Sequence, residues 1–314
     1  MATYLVTGGA GFIGSSIVSE LIKRREDVRV LDNFYSGKKE NLEDVIKKIE
    51  LIEGDIRDLG LLRKVTKGCD YVLHQGALRS VPKSLKDPIS YDEVNVRGTL
   101  NVLIASSEAK VKRVVFASSS SLYGDSEKLP QSEDQIPQPV SPYAASKLAG
   151  EHYCRVFSKA YGLETVALRY FNVFGPRQSL ESEYAVVIPK FITCMLKDEQ
   201  PPIHGDGTQS RDFTYIDNVI EANLIAATRK GIAGEAFNVA LGKAYNLLEL
   251  VKTINEILNK DIKPKFTPPR PGDVKRTLSD VTKMKKLLGL EPKVDFVLGL
   301  RKTTEYFKSI NGKK

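Results

Sequence analysis

Thr3-Tyr-Leu-Val-Thr7, followed at once by Gly8-Gly9-Ala10-Gly11-Phe12-Ile13-Gly14, is the stretch on which the fold turns. The first five residues are apolar and rich in strand formers, so they read as a short strand. After the glycines an amphipathic segment continues as a helix to about Arg25, and Val28-Arg-Val-Leu-Asp32 is a second strand ending in an acid. That acid stands about twenty residues past the glycines, the separation expected of a dinucleotide-binding βαβ unit. Gly8 permits the tight turn, Gly11 lets a pyrophosphate approach the backbone, and Gly14 lets the helix pack close to the strand. The helix start offers free N–H groups and a positive dipole end to phosphates. Asp32 suits an adenine-ribose diol and repels a 2′-phosphate, which favours NAD over NADP. The pattern predicts an α/β fold, a doubly wound parallel (Rossmann) sheet with a smaller interleaved C-terminal lobe for substrate.

The strand and helix alternation continues. Ile49 to Asp55 is a strand ending in an acidic turn that sets Asp55 and Ile56 against an adenine edge. Gly68 to His74 is another strand, and the small residues of Gln75-Gly76-Ala77 leave room for a cofactor. His74 ends that strand at a tight turn and reads as structural, with a base as the alternative. Asn95 to Val102 opens or continues a helix, and Val111 to Ala117 is a strand running into Ser118-Ser119-Ser120-Ser121. Hydroxyls at the C-terminal end of a parallel strand lie where such sheets bind ligands, although a polar loop would also use one or two of them. Thr165 to Phe171 is the next strand, Ile188-Pro189 starts a helix, and Pro201 to Asp217 is hairpin-like. Helices follow at Asn218 to Thr228, Leu247 to Leu258 and the chain end, with a strand at Phe237 to Ala240. The expected division is 1–172 plus about 213–240 for the dinucleotide, and about 173–212 plus 241–314 for the substrate.

Tyr143 and Lys147 stand four residues apart in a segment that reads as helix, opened by Ser141 as N-cap and by Pro142. Side chains at i and i+4 share one helical face. A phenol has a reference pKa of about 10, and a neighbouring cation favours the phenolate and makes it a usable base. An ordinary surface helix would look the same by this pair alone.

Composition bounds the rest. The 314 residues are 41% hydrophobic, enough for a full core, and no long uncharged apolar run suggests a membrane span. Three scattered cysteines (Cys69, Cys154, Cys194) suggest reduced thiols and a cytoplasmic setting. The three histidines are far apart and no metal site is expected. The net charge of +8 is spread and interleaved with acids, so it reads as a solvated surface rather than a nucleic-acid footprint.

Together these segments resemble the extended short-chain dehydrogenase/reductase superfamily and, within it, the nucleotide-sugar 4-epimerases. The resemblance spans essentially the whole chain, from Thr7 to Gly14 through Asp32-Asn33, Gly54-Asp55-Ile56, Ser118 to Gly124, Tyr143 to Lys147, Leu168 to Pro176, Gly205 to Gly207 and Arg211 to Asp217 to Pro271-Gly-Asp273. It implies that Tyr143 removes the proton of a sugar 4-hydroxyl, that Ser119 relays or orients it, and that Lys147 holds the nicotinamide ribose. C4 would be oxidised to a ketone, the 4-keto sugar would turn, and reduction from the other face would invert the hydroxyl, with NAD held as a prosthetic group. The implied cofactor contacts are Gly8, Gly11, Phe12, Ile13, Gly14, Asp32, Asn33, Ser36, Gly37, Asp55 and Ile56. To these it adds Gln75, Ala77, Asn95, Ser118, Tyr143, Lys147 and Tyr170. The implied substrate contacts are Arg79, Ser119, Ser120, Ser121, Tyr143, Asn172, Val187, Arg211, Arg270, Asp273 and Thr277, with Asn172, Arg211 and Arg270 gripping the diphosphate.

Departures narrow the reaction. Related dehydratases carry an acidic pair after the serine, where this chain has Ser120 and Ser121, and the Glu of related decarboxylases is absent as well. Thr277, at a position where glucose-restricted relatives carry an aromatic, leaves room for a 2-acetamido group, whereas Arg79 resembles the glucose/galactose enzymes. The expected substrate is therefore UDP-GlcNAc/UDP-GalNAc, UDP-glucose/UDP-galactose or both. The alternatives are UDP-glucuronate and a non-catalytic NAD-binding protein. The resemblance also implies a homodimer through helices near 87–109 and 143–161.

Overall fold

The computed structural model describes residues 1–179, 187–269 and 274–311. Seven strands form one parallel sheet: β1 (Thr3–Thr7), β2 (Asp27–Asp32), β3 (Glu50–Glu53), β4 (Tyr71–His74), β5 (Arg113–Ser119), β6 (Glu164–Tyr170) and β7 (Glu235–Val239). Their order is β3-β2-β1-β4-β5-β6-β7. The chain steps outward to β3, then crosses back to lay β4 on the far side of β1. That reversal opens a crevice beyond the C-terminal ends of β1 and β4.

The central strands are apolar on both faces because helices cover both. Val6, Val30, Val115 and Leu168 pack against α1 (Phe12–Lys23) and α6 (Ile216–Thr228). Leu5, Leu31, Val114 and Phe116 pack on the other face, with α2 (Leu59–Val65), α3 (Gly98–Glu108) and α4 (Pro142–Ala160). A third core gathers Phe174, Phe213, Tyr215 and Phe296 with α5 (Val187–Leu196), α7 (Leu247–Leu258) and α8 (Phe296–Asn311). Its aromatic rings stack, with Tyr245 and Phe296 centroids 4.0 Å apart. Among the described residues no helix is long and apolar enough to cross a membrane.

Two elements differ from expectation. The hairpin-like stretch is not a hairpin: Pro202–His204 pairs in parallel with Lys265–Thr267, and Ser210–Asp212 pairs antiparallel with Ala244–Asn246. Gly205 and Gly207, both at φ +81°, turn the chain between them, and each strand finds a partner far away in sequence. Asn95 lies in a π-helical turn, Asp92–Arg97, that runs into α3.

α4 begins as its sequence implies. Ser141 Oγ accepts the Ala144 N–H at 3.2 Å, and Pro142 occupies the first turn. The helix approaches the sheet closely at Gly150, where an added Cβ would stand 2.4 Å from the Phe116 ring.

Candidate active site

The glycine turn forms a cradle at the end of β1. Gly8 has φ +66°, and a Cβ there would meet Gly76 at 2.7 Å. A Cβ on Gly14 would lie 2.1 Å from the Gly8 carbonyl oxygen, which is how α1 sits so near the strand. At Gly11 the only neighbour within 4 Å is that same oxygen, at 3.2 Å, so the backbone is open to a ligand at the start of α1. Phe12 and Ile13 turn their side chains toward the third core. Asp32 closes β2. Its Oδ2 accepts the Ala10 N–H at 2.9 Å and its Oδ1 the Phe34 N–H at 2.8 Å. Each oxygen keeps a free lone pair for a diol. Burial pushes this carboxyl up and the two N–H groups oppose it. Gly37 lies against it, for a Cβ there would be 2.9 Å from either oxygen, while Ser36 is exposed. Asn33 Nδ2 donates to Asp55 Oδ2 at 2.9 Å, and Arg57 beside Asp55 holds that carboxyl low. The cradle, the open Gly11 and the half-used acid fit a dinucleotide with a free ribose diol.

Ser119, Tyr143 and Lys147 meet where β5 ends against the first turns of α4. The Ser119 hydroxyl is near enough to the Tyr143 phenol to lower its pKa. Ser119 Oγ also accepts from the Ser121 hydroxyl at 2.9 Å and the Ser121 N–H at 3.2 Å. Burial pushes the phenol up; the Ser119 hydrogen bond and the Arg79 guanidinium pull it down. Lys147 is buried, and its Nζ donates to the Ala117 carbonyl at 2.9 Å and lies 5.1 Å from the Phe116 ring centroid. Burial lowers the lysine to about 8. The two residues share a helix face; the lysine stem reaches the strand-end Ala117 carbonyl, and the exposed Arg79 guanidinium also lowers the phenol's pKa. The phenol also stands in the first turn of α4, where the helix dipole favours an anion.

Several predicted cofactor residues spend their side chains elsewhere. Ser118 Oγ donates to Glu151 at 2.5 Å, Ile56 is buried in the core beneath α3, and Asn95 holds the Leu78 main chain. Strand alternation turns Ser118 inward, and burial does the same for Ile56 and Asn95. Tyr170 donates to Gln75 Oε1 at 3.2 Å and accepts from Asn223 Nδ2 at 2.8 Å, forming a polar cluster between β6, the β4 exit and α6. Ala77, in that exit, is half-buried. His74 is structural, clasped by Thr7 at 2.6 Å and Thr99 at 3.0 Å.

On the substrate side, Asn172 (φ +34°), Arg211 and Thr277 come together. Asn172 Nδ2 donates to Thr277 Oγ1 at 3.2 Å and to the Asp212 carbonyl at 3.0 Å. Arg211 donates to the Ser210 carbonyl at 3.0 Å and the Lys275 carbonyl at 3.3 Å. Val187 is the first residue of α5, half-buried, and Ser120 is half-buried beside the Ser119 turn. Arg270 and Asp273 lie outside the described residues. Glu151, Arg169, Asp212 and Asn223 went unnoticed in the sequence. Glu151 had a signal, standing eight residues beyond Tyr143 on the same stripe, whereas Asp212 was hidden beside Arg211.

A glycine cradle for a dinucleotide, joined to a Ser-Tyr-Lys set at the end of the fifth strand, defines an enzyme of the short-chain dehydrogenase/reductase type. Residues 4–240 match the NAD dependent epimerase/dehydratase family. A putative UDP-glucose 4-epimerase of Methanocaldococcus jannaschii is 39% identical over 309 residues, covering 98% of this chain and 99% of its own. The solved UDP-N-acetylglucosamine 4-epimerase of Methanobrevibacter ruminantium, in complex with UDP-N-acetylmuramic acid, is 42% identical, with a TM-score of 0.94 and coverage of 98% and 99%. The Thermus thermophilus UDP-glucose 4-epimerase complex with NAD is 38% identical, with a TM-score of 0.89 and the same coverage. The chain belongs to the NAD-dependent epimerase/dehydratase family, in the group of nucleotide-sugar 4-epimerases, which are isomerases, and NAD is its cofactor.

Proposed function

We propose that this enzyme inverts C4 of a UDP-hexose through a transient 4-keto sugar, acting on UDP-GlcNAc/UDP-GalNAc, UDP-glucose/UDP-galactose or both. The observation that carries this is Tyr143 in the first turn of α4, with Ser119 at the end of β5 lowering its pKa and hydroxyls rather than carboxylates at 120 and 121. Tyr143 takes the proton of the 4-hydroxyl as C4 is oxidised and gives it back to O4 when C4 is reduced from the opposite face, and Ser119 passes it between sugar and phenol. Bound NAD supplies reversible two-electron exchange at C4. Lys147, anchored at the end of β5, holds the nicotinamide ribose, and Asp32 the adenine ribose. Asn172, Arg211 and Arg270 meet the diphosphate, and Thr277 leaves room for a 2-acetamido group. A serine next to Ser119 in place of an acid leaves nothing to eliminate water, which favours simple inversion.

Residues 1–172 with about 213–240 would carry the cofactor, and about 173–212 with 241–314 the sugar nucleotide. The free cysteines, two of them buried, suit a cytoplasmic setting. One observation favours a second substrate: Arg79 sets a cation near the phenol, and such a cation would accept the C6 carboxylate of UDP-glucuronate. NMR analysis of products from UDP-glucose, UDP-GlcNAc and UDP-glucuronate in parallel, without added cofactor, decides among them. Tyr143→Phe should cost at least about a hundredfold to ten-thousandfold in turnover while NAD stays bound. Full activity in that variant would remove the proposed base, and NAD binding with no turnover of any sugar would favour a non-catalytic role.

A further inference from the structure

Asp212 ends the short strand Ser210–Asp212, and its side chain is wholly buried. A buried carboxylate needs a counter-charge or a full set of hydrogen bonds. Here the partners are main-chain N–H groups. Oδ1 accepts from Leu241 at 3.0 Å, and Oδ2 accepts from Gly242 at 2.9 Å and Ser279 at 3.3 Å. These donors belong to two segments: the turn that follows β7, and the stretch just beyond Thr277. Burial raises the Asp212 carboxyl to about 7, and the N–H groups pull against it.

The main chain of the same residue touches the substrate side. Its carbonyl accepts from Asn172, and its N–H donates to Thr277 Oγ1 at 3.4 Å. Thr277 N–H in turn donates to the Ser210 carbonyl at 3.1 Å. Successive side chains on a strand face opposite ways, so Arg211 and Asp212 divide the two faces between them. The carboxylate gathers the surrounding loops while its neighbours face the sugar nucleotide.

We propose that Asp212 is a positioning residue for the nucleotide-sugar clamp: by tying the turn after β7 and the Thr277 segment to the Arg211 strand, it holds Asn172, Arg211 and Thr277 in their binding arrangement. This rests on the UDP-sugar reading, and the test separates the two. Asp212→Asn keeps the shape but turns an amide donor toward N–H donors, so it breaks part of the cage without opening a cavity.

The NAD-loaded enzyme and Asp212→Asn are titrated with UDP by calorimetry, and KM and kcat are measured for UDP-glucose and UDP-GlcNAc. The expected result is a rise of about tenfold or more in the Kd for UDP and in KM, the loss typical of a hydrogen bond to a charged group. KM should rise by more than kcat falls, with NAD content unchanged. A folded Asp212→Asn that binds UDP like the parent enzyme overturns the proposal. A parent enzyme that binds no UDP overturns the UDP-sugar reading itself. Hydrogen exchange on the unmodified enzyme serves if the variant does not fold: added UDP should slow exchange at 241–243 and 277–280, and unchanged exchange there overturns the proposal.

Discussion

Tyr143 shows how a single residue's chemistry is set by competing magnitudes. Burial alone would make the phenol a worse base, and the Ser119 hydrogen bond and Arg79 charge oppose that. Removing Arg79 takes away a cation that lowers the phenol's pKa, so Arg79→Met should move the pH–rate profile toward alkaline pH and slow turnover at neutrality. A profile that stays in place while KM alone changes would confine Arg79 to substrate binding. His74 gives a pH effect of the other kind. Burial depresses it from 6.5 to about 3, so it stays neutral in the folded protein. The unfolded chain takes up the proton first. Its stabilising contribution is therefore complete above about 6.5 and is lost as pH falls from there toward 3. Melting curves across that window should show His74→Asn losing less stability on acidification than the parent protein.

At the scale of elements, α4 is the part that matters most. Tyr143, Lys147 and Glu151 form one stripe along it, and two of them grip the end of β5, Lys147 at the Ala117 carbonyl and Glu151 at the Ser118 hydroxyl. Glu151 also takes a two-pronged ion pair from Arg169 on β6, at 2.9 and 2.8 Å, both side chains being buried. Arg169 donates on to the Tyr123 hydroxyl at 2.8 Å, and Tyr123 donates to Asn238 on β7 at 2.7 Å. Three neighbouring strands and the catalytic helix are thereby locked together. Removing one buried charge strands the other, so Arg169→Leu should destabilise by about 3–5 kcal/mol in denaturant unfolding. The double change with Glu151→Leu should recover a large part of that loss. Equal losses in the single and double variants would mean the pair is not the source.

At the scale of the molecule, the sheet supplies the rigid end of the site and the third core supplies the rest. The substrate-side residues belong to segments that are short, far apart in sequence and paired only with distant partners. Leu85 and Ile89, in the short helices Val81–Lys86 and Pro88–Tyr91, and Val156 on α4 are 62%, 71% and 48% exposed, apolar groups on or next to the proposed dimer helices. A homodimer built on that surface should dissociate in Ile89→Asp, read by analytical ultracentrifugation. A parent protein sedimenting as a monomer, or an unaffected variant, would place any self-association elsewhere.

How much of this was legible follows from the range of the interactions. Strand period, glycine spacing, the Asp32 ending of β2 and the Ser141-Pro142 start of α4 are written in a few consecutive residues, because turn geometry, capping and alternation act locally. By themselves they determined the parallel sheet and the dinucleotide cradle, and the roles of Ser119, Tyr143 and Lys147 came from the family resemblance. The partners of each group were a different matter. Lys147 reaches back 30 residues to the Ala117 carbonyl, and Thr277 bonds Ser210 and Asp212, the residues on either side of Arg211, from far along the chain. Charge and burial act through space, so only the tertiary structure decided that the Arg79 guanidinium lies where it lowers the phenol's pKa, that Ser118 faces inward to Glu151, and that a carboxylate with no motif of its own, Asp212, ties Leu241, Gly242 and Ser279 to the Arg211 strand.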